Sequence, residues 1–269
     1  MKFKKSKATR RKISRKKRQH QKPARQSAAA SSEKILAYVS TGEIFQPIRL
    51  HYRVPDTDRL VNAFTRLRCI DYASKLTRWV WLYFAEAAAL QFKNPPDTED
   101  PIVIGELLPK GSNEAVLNVR SVERAIKAIP FFDRYIARDV AEVTHATIIN
   151  KLFSVEEVAS IKRLDQLFER RDITVRRPEE ITEKLLEIKA GTENEVERWA
   201  GLNQFISELA SEPEPEIEKF PVYYYQDGIE SLSLALRQRQ FVALEHWKGN
   251  ENYTAMDAVR EFIMKTEGG

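Results

Sequence analysis

The stretch LTRWVWLYFAEAAAL, residues 76–90, decides how the chain is built. Its central part, WVWLYFA (79–85), is apolar in every direction, and such a run has to be covered on all sides. Read as helix, it extends an amphipathic pattern that starts after Pro55-Asp56 and carries Leu60, Phe64 and Leu67 on one face. That reading gives one long helix over roughly 57–92, ended by Asn94-Pro95-Pro96, with Trp79, Trp81, Leu82 and Phe84 at the centre of the domain. The stretch is no membrane span: Arg78 and Glu86 interrupt it, and it falls short of the ~20 apolar residues a spanning helix needs.

Outward from it, strands are few. PIRLHYRV (47–54) alternates Ile48, Leu50, Tyr52 and Val54 with polar residues at period two. IVIGELL (102–108) and AVLNV (115–119), joined by PKGSN, form a hairpin with a longer loop. KFPVYYYQ (219–226) and QFVALEHW (240–247) are further strand candidates. Helices fill the rest. Pro130 separates 122–129 from 131–152. Ser154 to Glu157 is a capping box ahead of Val158, Ile161, Leu164 and Leu167. Arg177-Pro178-Glu179-Glu180 opens a helix that Gly191 closes, and Thr192 to Glu195 opens another striped by Val196, Trp199, Leu202, Phe205 and Leu209. SEPEPEIE (211–218) is an acidic loop, and Thr254 to Asp257 caps a last helix ending near Lys265. The expected fold class is α+β and predominantly α: a helical bundle with a small sheet, preceded by a disordered basic tail.

That tail is the strongest functional signal. MKFKKSKATRRKISRKKRQHQKPARQ (1–26) holds 13 Lys or Arg and no acid, whereas residues 27–269 hold 31 basic and 39 acidic side chains, a formal −8. QSAAASSE (26–33) is a small, polar linker, so the expected organisation is an arm over 1–33 and a body over 34–269, with a sub-boundary near 94–101. A cationic arm on an acidic body is the asymmetry of a protein that meets a polyanion through its end. The expected binding residues are Lys4, Lys5, Lys7, Arg10, Arg11, Lys12, Arg15, Lys16, Lys17, Arg18, Lys22 and Arg25. Their partner is nucleic acid, DNA or RNA, gripped by its phosphates with little sequence preference. A helical scaffold binding another protein, or an enzyme tethered by its arm, are the alternatives. The single cysteine, Cys69, excludes a disulfide framework and fits a reducing compartment, so a soluble, cytoplasmic protein is expected, nuclear if the cell has a nucleus.

The body shows no catalytic signature. Gly105 and Gly111 lack the spacing and lysine of a phosphate loop, and neither G-x-G-x-x-G nor G-x-S-x-G occurs. Cys69 lies among apolar residues, where a thiol is inert packing. Glu142-x-x-His145 is one pair where a di-iron bundle needs two. Glu187-Ile188-Lys189 has the E-x-K order of a metal-dependent nuclease but lies in a helix rather than a strand. Arg59, Arg66, Arg68, Lys75 and Arg78 are diluted by Asp58 and Asp71, and Tyr223-Tyr224-Tyr225 packs rather than stacking bases. No metal, cofactor or catalytic residue is assigned.

Overall fold

Residues 78–82 form a strand, and this overturns the helical bundle. The structure is a computed structural model that describes residues 34–261 apart from 98, 170, 171, 213 and 259. The chain divides between Glu33 and Lys34 into two units, and the second is described here. The expected disorder of the basic tail, and all twelve of its binding residues, lie outside the described residues.

The supposed long helix over 57–92 stops early. Helix α1 (Thr57–Phe64) is capped by the Asp56 carboxylate, which accepts from the Asp58 and Arg59 amides. Strand β2 (Ile70–Ala73) follows, then β3 (Arg78–Leu82). Thr77 at φ 52° and Ala85 at φ 48° bracket β3 in the left-handed region, which no helix can pass through. The run Trp79-Val80-Trp81-Leu82-Tyr83-Phe84 is aromatic and β-branched, as strands prefer. A strand buried on both faces loses its alternation and imitates a buried helix.

Among the described residues, eight strands make one sheet in the order β2-β3-β4-β5-β1-β6-β8-β7. The remaining members are β1 (Ile48–Arg53), β4 (Val103–Lys110), β5 (Glu114–Val119), β6 (Glu142–Ile149), β7 (Thr174–Val175) and β8 (Ile217–Pro221). All pairings are antiparallel except β7 on β8. The expected strand at 47–54 and the hairpin of 102–119 are therefore found, the latter as β4 and β5. The stretch 94–101 lies in the connection into β4, which pairs with β3. The expected helix 131–152 survives only to Tyr135, in α2, and strand β6 stands in its later part, since Val143, Thr144, Thr147, Ile148 and Ile149 fit a pleated surface better.

Helix α2 (Val122–Tyr135) runs through Pro130, which is exposed, so water can serve the carbonyl that its missing N–H leaves. Residues 240–247 are helix, not strand, within α6 (Tyr224–Trp247), which kinks at Gly228. Further helices among the described residues are α3 (Val155–Ser160), opened by the expected capping box at Ser154, α4 (Pro178–Ala190) and α5 (Glu195–Ser211), and residues 255–258 are helical behind Thr254, whose hydroxyl accepts from the Asp257 amide. Asn194, rather than Thr192, caps α5 by accepting from the Val196 amide.

The two faces of the sheet differ. On one, Ile48, Leu50, Tyr52, Leu107, Leu117 and Ile148 pack with Leu60 and Phe64 of α1, Ile129 and Phe132 of α2 and Leu236 of α6 in the main core. Trp81 lies fully buried there, its ring 5.0 Å from those of Phe131 and Phe132. Gly105, its partner on β4, makes the room: a Cβ there would stand 2.8 Å from Leu117 Cδ1 and 3.1 Å from Trp81 Cε3. A smaller core on the other face joins Phe45, Ile149, Phe153, Leu164, Phe168 and Ile217. Of the four residues expected at the centre, only Trp81 is fully buried, while Trp79, Leu82 and Phe84 are half-buried.

Trp81→Ala should therefore cost about 3–5 kcal/mol, and Leu82→Ala only about 1–2 kcal/mol. Urea unfolding of the two variants against the parent measures both, and equal losses would place the core elsewhere.

Candidate functional site

The alternate residues of β1 put Arg49, His51 and Arg53 on the face away from the main core. Each is met by a partner from a distant element. The Arg49 Nε–H donates to Asn118 Oδ1 at 2.8 Å, its Nη2 pairs with the buried Asp165, and its guanidinium lies 4.6 Å from the centre of the Phe168 ring. Arg53 pairs with Glu142, as does Arg138.

His51 uses both ring nitrogens. Nδ1 lies 2.8 Å from Glu114 Oε1 and Nε2 lies 2.9 Å from Thr147 Oγ1. Burial, only partly offset by Glu114, brings the imidazole down from 6.5 to about 4. A neutral ring then donates from Nδ1 to the carboxylate and accepts the Thr147 hydroxyl proton at Nε2. Hydroxyl, imidazole and carboxylate have the connectivity of an activated nucleophile. Thr147, however, is only 1 % exposed, which leaves its oxygen no approach for a substrate. The chain of hydrogen bonds satisfies three polar groups on a sheet face rather than serving a reaction.

The second constellation joins β7, β8 and α6. Glu218 of β8, 2 % exposed, accepts from Arg239 Nε at 2.7 Å and Nη2 at 3.0 Å, and from Arg176 Nε at 2.9 Å. Burial alone would raise this carboxyl, but the hydrogen bonds and charge of Arg239, with the charge of Arg176, hold it below its ordinary value. The cluster borders a cleft of about 400 Å³ whose apolar wall includes Ile181, Leu209, Phe220 and Met256. Arg176 Nη1 donates to Glu212 at 3.2 Å, so both arginines are engaged by carboxylates and the cleft presents no bare cation to a phosphate.

Motifs weighed in the sequence fall into structural places. Cys69 is buried, and burial with the neighbouring Glu86 pushes its thiol up to about 12, far from a reactive thiolate. Glu142-x-x-His145 lies in β6, with the carboxylate taken by Arg53 and Arg138. Glu187-Ile188-Lys189 lies in α4. Of the basic residues at 59–78, Arg59 pairs with Asp139, and Arg78, 4 % exposed, pairs with Glu106. The tyrosine triplet stands at the start of α6, with the Tyr224 hydroxyl donating to Asp133 at 3.5 Å. No group of three or more His, Cys, Asp or Glu among the described residues could hold a metal ion, and no described helix is long and apolar enough to cross a membrane.

His51 and Glu218 escape sequence reading because their partners are remote. Three ionisable residues at alternate positions of PIRLHYRV, however, already mark a polar sheet face. No family model, curated protein or solved structure matches this chain.

Two outcomes follow. Lowering the pH from 7 to about 5 protonates His51 in the unfolded chain, at about 6.5, before it does so in the folded one, at about 4. A depressed folded value means stability falls with pH across this window, by about 2 kcal/mol from His51. His145, also lowered by burial, acts in the same direction. Urea unfolding at several pH values should show that His51→Gln flattens this slope, and an unchanged slope would remove His51 from the account. Glu218→Gln leaves Arg176 and Arg239 without their shared carboxylate and should destabilise by on the order of 3 kcal/mol, read as a lowered denaturant midpoint.

Proposed function

We propose that the protein associates with nucleic acid through its N-terminal arm, gripping phosphates with little regard to sequence. The observation that carries this is the charge division: 13 cations without an acid in residues 1–26, against a formal −8 in the rest. Cations on an arm gain affinity from the counterions released when they replace them along a phosphate backbone. The body supports the same division of labour. Arg49, Arg53, Arg59, Arg78, Arg124, Arg138, Arg176 and Arg239 all have carboxylate partners within the fold, so these guanidinium groups are already committed.

Binding led by such an arm is electrostatic. With ~6–10 phosphates engaged, affinity should fall roughly 10³–10⁵-fold between about 50 and 200 mM salt. Changing Arg10, Arg11, Lys16 and Lys17 to Gln in the full chain should lower the salt slope by about 3–4 on duplex DNA and leave any sequence preference untouched. Filter binding to duplex DNA and structured RNA across a salt series measures this. An unchanged slope in the variant would move recognition to the body.

A further inference from the structure

The acidity of the body is not spread over it. Residues 178–216, which comprise α4, α5 and the loop into β8, hold eleven acidic and three basic side chains, a formal −8. That equals the net charge of the whole of residues 27–269, so the remainder of the body is neutral overall. The same segment exposes large apolar side chains. Val196 is 76 % exposed, Trp199 58 % and Ile206 43 %. At 3.6 residues per turn these three fall within an arc of about 80° on α5 and span about 15 Å along it. The helix packs another side on α4: Gly201 meets Ile188 so closely that a Cβ would stand 3.1 Å from its Cγ2. Leu202, Phe205 and Leu209 are half-buried, whereas Val196, Trp199 and Ile206 remain outside. A tryptophan exposed to this degree is costly to leave in water and is the residue type most enriched where proteins anchor partners.

Charge decides what covers this arc. A second copy docking by the same segment would bring a −8 segment against a −8 segment, and the arm of residues 1–26, though cationic, has only Met1, Phe3 and Ile13 as large apolar side chains to cover it. Nucleic acid and an anionic bilayer carry the same sign and are repelled. Ile206, at one end of the arc, borders an open cleft of about 440 Å³ with Thr254, Met256 and Arg260, whereas Val196 and Trp199 stand largely in water rather than in the enclosed concavity a small molecule requires. A cationic protein segment with apolar anchors answers both features, and a helix with anchors at i, i+3, i+7 and i+10 spans the same ~15 Å as the arc. We propose that the exposed arc of α5, set in the acidic α4–α5 segment, is a docking surface for a basic amphipathic helix of another protein. This is independent of the arm and goes beyond nucleic-acid association.

The test is calorimetric titration of the full chain with a model peptide of about 14 residues, lysine on one helical face and leucine on the other. Oligolysine of equal charge is the control. The amphipathic peptide should bind at least about 10-fold tighter than oligolysine. Val196→Ser with Trp199→Ser should weaken it about 10-fold or more with an unchanged circular dichroism spectrum, because both side chains are exposed. Glu193, Glu195 and Glu197 changed to Gln should weaken it and flatten its salt dependence. Equal binding of both peptides, or binding indifferent to the Val196 and Trp199 changes, would overturn the proposal. So would a sedimenting dimer that dissociates in the Trp199→Ser variant, which would give the arc to a second copy.

Discussion

A sheet that carries arginine and histidine on one face stands only if each of those groups finds a partner before water is shut out. The central strand β1 sets this condition. Its odd partners in the pleat, Arg49, His51 and Arg53, face away from the main core while Ile48, Leu50 and Tyr52 build it. Leaving a buried charge unmatched costs several kcal/mol, and removing one member of a matched pair costs about as much. For the buried Arg49 and His51 the fold meets the condition with groups from remote places: Asp165 from the short 3-10 helix after α3, Glu114 from β5 and Thr147 from β6. Those contacts also hold the second layer onto the sheet. Asp165 brings Phe168 over the Arg49 guanidinium, so one ion pair and one ring seat the smaller core.

The same requirement recurs at the far side of the sheet. Glu218 binds two guanidinium groups, from the residue following β7 and from α6, and so ties the only parallel pairing among the described strands to the long helix α6. Arg124, 1 % exposed in α2, donates to Thr41 Oγ1 at 2.7 Å and pairs with Glu43, which anchors the segment leading into β1. Buried arginines of this kind add little net stability over apolar replacements, but they tolerate one arrangement of their neighbours.

What was legible in the sequence was local. The alternation of 47–54, the hairpin of 102–119, the cap at Ser154 and the proline opening at Pro178 each depend on residues a few positions apart. What was not legible depends on context. Strands β3 and β6 are covered on both faces and lose the period-two signature, so their apolar runs pass for helix. Residues 240–247 look like a strand in isolation and are drawn into α6, which buries Leu232, Leu236 and Ala243 at helical spacing. The stripe of α5 was legible as a stripe, but the structure splits it, with Leu202, Phe205 and Leu209 half-buried and Val196 and Trp199 exposed, because periodicity reports a face and not what lies against it. The arm is a run of like charges that composition alone exposes. The partners of Arg49 and His51, by contrast, lie 116 and 96 residues away in the chain at their furthest, beyond any motif.

The ends of the sheet carry a consequence of another kind. Its outermost strands are β2, four residues with Asp71 and Tyr72 turned to solvent, and β7, only two residues long. A long, flat, apolar margin would offer a row of unpaired amides and carbonyls on which a further chain could stack. Here the broad middle of the sheet, where the long strands lie, is closed on both sides by its own neighbours, and the margins are too short to template growth. Among the described residues, strand length alone therefore leaves little open edge at either margin of the sheet.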